Sequence, residues 1–101
     1  DTASAPRNLT LTTPSAGTIN TSWTAPSESG ASAISDYRIY YRKWNSGQAW
    51  STTDVGSNAV TKSDISGATT LPAGTYEVYV EPFTVGLGFG RSSFKESINV
   101  S

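Results

Sequence analysis

Leu71-Pro-Ala-Gly-Thr-Tyr76-Glu-Val-Tyr-Val80-Glu81 carries the clearest architectural signal in the chain. Pro72 fixes φ and Gly74 permits a positive φ, so the segment opens with a turn. From Tyr76 the side chains alternate with period two. Tyr76, Val78 and Val80 share one face, and Glu77, Tyr79 and Glu81 share the other. A tyrosine that enters a core directly after a turn fills space with its ring, while its hydroxyl needs a nearby backbone acceptor. That is the logic of a tyrosine corner at one end of a β-sandwich.

The same alternation recurs along the rest of the chain. Leu9 and Leu11 punctuate Arg7–Thr13, and Ile19, Thr21 and Trp23 share the inward face of Thr18–Trp23. In Asp36–Lys43 the inward set is Tyr37, Ile39 and Tyr41, against Arg38, Tyr40 and Arg42. Trp50–Val55 and Ala59–Ile65 read as shorter strands, the latter anchored at Val60 and Ile65. Arg91–Ser101 reads as the last strand, with Phe94 and Ile98 as core contacts. Turns rich in Gly, Pro, Asn and Ser separate these runs, and no segment carries a helical period or an internal repeat. The pattern predicts an all-β, seven-stranded antiparallel two-sheet sandwich over residues 7–101. Residues 1–6 are expected to be a linker. The structural core is predicted at Trp23, Tyr37, Ile39, Tyr76, Val78 and Val80.

Composition narrows the chemistry. The chain has 101 residues, 36% of them hydrophobic, with a formal net charge of -1. No basic surplus exists to follow phosphates or an anionic bilayer, so neither nucleic acid nor membrane is an expected partner. Cysteine and histidine are both absent. Disulfides, thiol nucleophiles, imidazole bases and imidazole metal sites are therefore excluded. Acidic residues are scattered, with no Asp-rich run for calcium and no carboxylate pair beside a cleft. They are expected to be solvated surface charges. No catalytic residue, cofactor or metal site is expected. Ser and Thr make up roughly 30% of the chain, a bias with few charges that suits secreted or surface multidomain proteins. The opening Asp1-Thr-Ala-Ser is too polar for a signal peptide, as a mature or excised domain would also be.

The ordered motifs resemble a fibronectin type III domain over nearly the whole chain. They are Pro6 with Leu9 and Leu11, then Trp23-Thr-Ala-Pro26, then Ile34 with Tyr37, Ile39 and Tyr41. Leu71, Gly74-Thr75-Tyr76, Val78 and Val80 follow, and Gly86-Leu-Gly-Phe-Gly90 with Ser93 completes the set. The resemblance implies an immunoglobulin-like sandwich with Trp23 between its sheets. It also implies a non-catalytic spacer or protein-interaction module of a larger secreted or surface protein, located outside the cell. Partners would be neighbouring domains of the same chain, with another protein or a glycan as further candidates. The isolated domain would be a monomer. The Arg-Gly-Asp adhesive signal is absent, since Ser92 follows Arg91.

Four residues are candidates for contact with a ligand or partner. Trp44 and Trp50 flank one turn. Either they form an aromatic platform for a sugar ring, as in a carbohydrate-binding accessory module, or they cover the sheet edge over the stems of Arg38, Arg42 or Lys43. Leu87 and Phe89 alternate with Gly86, Gly88 and Gly90 in a loop. They either pack on the domain or its neighbour, or form a recognition hot spot. Asn8-Leu-Thr10, Asn20-Thr-Ser22 and Asn99-Val-Ser101 match the N-glycosylation pattern.

Overall fold

A computed structural model describes all residues from Asp1 to Ser101. Eight strands follow in order: β1 Arg7–Thr12, β2 Asn20–Thr24, β3 Asp36–Lys43, β4 Ser51–Asp54, β5 Thr61–Lys62, β6 Gly74–Thr84, β7 Gly88–Phe89 and β8 Glu96–Val100. They form two antiparallel sheets. One has the order β1-β2-β5; the other has β4-β3-β6-β7, with β8 also on β6. The count rises from seven to eight because Gly88–Phe89, expected within a loop, pairs with β6, while the last strand starts only at Glu96 instead of Arg91.

The long ladder between β3 and β6 explains the alternation read from the sequence. Ile39 lies opposite Val80 and Tyr41 opposite Val78 on the inner face, while Arg38 faces Glu81, Tyr40 faces Tyr79 and Arg42 faces Glu77 on the outer one. Ile39, Val78 and Val80 are completely buried. Trp23 packs between the sheets with its ring edge-on to Tyr37 at 5.1 Å. At full burial, side chains of this size each contribute about 1.5–3 kcal/mol. The buried Trp23 Nε1–H makes no well-formed hydrogen bond and only feels the nearby Tyr37 hydroxyl, so its contribution comes from packing. At the corner, the Tyr76 hydroxyl donates to the Pro72 carbonyl at 2.7 Å, closing the turn before β6.

Pro82 sits inside β6, where proline has no N–H to donate. Its carbonyl accepts from the Gly90 amide, so its nitrogen faces the same neighbour. That is where the last strand breaks. The pairing register steps by two residues between Phe83↔Phe89 and Val78↔Glu96. Ser93 fills the gap: its Oγ accepts from the Val80 amide at 2.9 Å, and its own amide donates to the Val80 carbonyl at 2.8 Å. The break corrects one expectation. Phe94 is not a core residue; it is 90% exposed, because the chain around it has left the ladder. Ile98 is half-buried against the core and Val100 is fully inside.

Residues 1–6, expected as a linker, form no strand but pack on the domain. Ala3 is 2% exposed, the Arg91 amide donates to its carbonyl, the Ala31 amide to that of Asp1, and the Ser4 amide to that of Glu28. Gly90 makes room for this strap. A Cβ there would lie 2.5 Å from the Ala3 carbonyl oxygen and 2.9 Å from Pro82 Cγ. Gly90→Ala should lift residues 1–4 away, at a cost of about 1–3 kcal/mol. Hydrogen exchange should show loss of protection at Arg91 and Ala31 while the β3–β6 ladder keeps its own.

Candidate interaction surfaces

The outer face of the five-stranded sheet carries a continuous ribbon of aromatic and charged side chains. Its residues come from the outward parity of β3 and β6, from Trp50 before β4, and from β7. Tyr40 and Tyr79, opposite each other in the ladder, stack at 4.4 Å with planes 3° apart. Trp50 meets Tyr79 edge-on at 4.8 Å. The Arg42 guanidinium lies 4.1 Å from the centre of the Trp50 ring, and Lys95 Nζ lies 5.6 Å from it. Further along the sheet, Arg38 covers Phe89 at 4.6 Å, and Phe89 packs on Phe83 at 4.9 Å.

Each carboxylate on this face has a structural partner. Arg42 Nε donates to Glu77 Oε2 at 2.9 Å, and Arg42 also donates to the Gln48 carbonyl. Glu81 accepts from the Tyr40 hydroxyl at 2.7 Å and from Ser92 at 2.6 Å. Asp54 accepts both arms of the Arg38 guanidinium, which holds its carboxyl below the usual range. At the sheet's end Asp36 accepts the amides of Tyr37 and Gly56. Glu77 therefore departs from the expected solvated charge: it is 7% exposed, bonded to Arg42, which itself lies on Trp50. Its outward parity was readable from the sequence, but its cover depends on the register that sets Arg42 opposite.

The four candidate contact residues fall in different places. Trp50 is half-buried, one ring face occupied by Arg42. Trp44 is 59% exposed at the turn after β3, and no ring contact joins it to Trp50. Phe89 belongs to the sheet ribbon. Leu87 lies on the tight turn joining β6 to β7, where its amide donates to the Thr84 carbonyl. Beside it is Val85, which sequence reading did not single out although it is 73% exposed.

The tyrosines make the fold sensitive to alkali. Tyr40 is pushed up to about 12, by burial first and then by its bond to Glu81. Burial also raises Tyr37, Tyr41, Tyr76 and Tyr79 above the ordinary 10.0. A phenol raised in the folded state holds its proton where the unfolded chain releases it. Stability is then intact below about pH 10 and falls as pH rises toward about 12. Urea melts across that window should show the decline, and Tyr40→Phe should make it shallower.

No curated protein matches the sequence. Among solved structures, domains from titin superpose with a TM-score of 0.81 at 19% identity, covering 99% of this chain and 32% of that one. The FN1–FN3 domains of chicken CNTN1 give 0.78 at 20% identity, covering 97% and 32%. A structure titled "Myokine structure" gives 0.76 at 17% identity and covers 98% of both chains. The chain thus spans about a third of the titin and CNTN1 chains it resembles. A family model described as "Fibronectin type III domain" matches residues 4–98. With its two sheets, its buried Trp23 and its tyrosine corner, the chain belongs to the fibronectin type III family.

Proposed function

We propose that this domain is a non-catalytic spacer and protein-interaction module of a larger extracellular chain, docking neighbouring domains through its two ends. The observation that carries the reading is the placement of exposed apolar side chains. β6 runs for 11 residues, about 33 Å at strand rise, and the molecule measures 41 × 24 × 21 Å. At the Thr84 end lie Val85 and Leu87, with Ala3 held to nearby Arg91. At the Gly74 end lies Trp44, whose amide donates to the Thr75 carbonyl, and Val100 pairs with Gly74 there. Chain entry and chain exit therefore coincide with Val85 and Leu87 at one pole and with Trp44 at the other, while Phe94, the most exposed of the large hydrophobics, lies on the side between them.

The paired carboxylates support the non-catalytic half of the reading, since they leave no free acid–base couple on the sheet face. The low charge and Ser/Thr-rich surface support the extracellular placement. A glycan platform would need open aromatic faces side by side; Trp50 is roofed and Trp44 stands alone.

The test compares the isolated domain with the same domain inside its parent chain. Amides around Trp44 and around Val85–Leu87 should gain protection from exchange in the longer chain. Trp44→Ala and Leu87→Ala should remove that gain without changing the melting of the isolated domain. Equal exchange in both settings would refute end-to-end docking.

A further inference from the structure

The inward-parity residues of the last strand peel away from the core in sequence. Val100 is 1% exposed, Ile98 half-buried, Glu96 exposed and Phe94 90% exposed. β1 does not follow them. Between the two strands opens a groove of about 550 Å³, with Pro6, Arg7 and Leu9 on one wall and Ser93, Phe94 and Glu96 on the other. The amide of Phe94 donates to no group of the domain. An exposed phenylalanine beside a partly apolar groove is a knob beside a hole.

We infer that this groove is occupied by a second copy of the same chain. The patch is self-complementary. A two-fold axis along the groove sets each β1 wall against its partner's β8 wall at the same height. Phe94 of each copy then enters the other's groove beside Pro6 and Leu9, a closed isologous contact. The charges agree with this arrangement. Arg7 and Glu96 stand on opposite walls and neither has an ion-pair partner within its own chain; Arg7 Nε and Nη2 both donate to the Ala25 carbonyl, which leaves Nη1 for a carboxylate. The axis brings each Arg7 toward the partner's Glu96, making two pairs of opposite sign. An axis across the groove would bring like charges together. The contact is small, so association is weak and concentration-dependent. It joins copies side by side and leaves both poles free, departing from the monomer expected of the isolated domain.

The experiment is sedimentation of the isolated domain from about 0.01 to 1 mM, with amide chemical shifts followed over the same series. The expected result is a dimer at the upper end of this range, weak as small interfaces are, with shifts confined to residues 5–9 and 92–96. Phe94→Ala should weaken association at least about tenfold, and at 90% exposure it should not disturb folding. Glu96→Arg and Arg7→Glu should each weaken it, and the double exchange should restore it. A strict monomer at 1 mM, a dimer indifferent to Phe94→Ala, or no recovery in the double exchange would overturn the proposal. So would patch shifts that arise only when the domain is joined to its neighbours, which would assign the groove to them.

Discussion

Trp23→Ala should lower stability by about 3–5 kcal/mol and the melting temperature by roughly 15 °C or more. The indole is 5% exposed and touches Tyr37 edge-on between the sheets. Its removal leaves a cavity that rigid strands on both sides cannot collapse into. A domain of this size holds about 5–15 kcal/mol in total, so this single change consumes much of the margin. Trp23→Phe should cost less than half as much. It keeps an aromatic ring at the site and deletes a buried N–H that makes no well-formed hydrogen bond. Urea denaturation of the three proteins checks the ordering. A phenylalanine variant as unstable as the alanine one would show that the indole nitrogen has a partner and that packing does not account for the residue.

The second large effect is expected at Arg42. Its guanidinium neutralises Glu77, donates to the Gln48 carbonyl and lies on Trp50. Arg42→Ala strands a carboxylate that is only 7% exposed and uncovers the Trp50 ring. The expected loss is about 2–4 kcal/mol. Replacing both partners, as Arg42→Leu with Glu77→Leu, should recover most of it, because the desolvated charge is then gone. If the double variant is as unstable as Arg42→Ala, the loss comes from the Trp50 stack and the Gln48 bond, not from the stranded charge.

These two sites show how far the sequence could be read. Trp23, Tyr37, Ile39, Tyr76, Val78 and Val80 sit on period-two runs, and parity alone assigns each a face. Parity fails where the chain leaves the ladder. Pro82 in the middle of β6 was the available signal, since a missing N–H must disturb the neighbouring strand. Its consequence, the slip filled by Ser93 and the expulsion of Phe94, depends on which neighbour Pro82 faces, and that is a property of the assembled sheet. Glu77 is similar. Its parity marks it as outward, but its burial follows from Arg42 and Trp50 arriving from two other segments. The strap at residues 1–6 looked like a linker because small polar residues carry no periodic signal. Gly90, which admits it, is one of several glycines in that loop and is distinguished only by the carbonyl beside it. Leu87 and Phe89 alternate identically in sequence, yet only Phe89 reaches the sheet face, because the tight turn ends between them.

Two sheets close over Trp23, and Tyr76 is bonded across the turn that precedes its strand. Nuclear Overhauser spectroscopy of the isolated domain can read both features. The Trp23 indole proton should exchange slowly with water and give cross-peaks to the Tyr37 ring, and the Tyr76 ring should give them to residues on either side of Pro72. An indole proton in fast exchange, with neither set of cross-peaks, would contradict both.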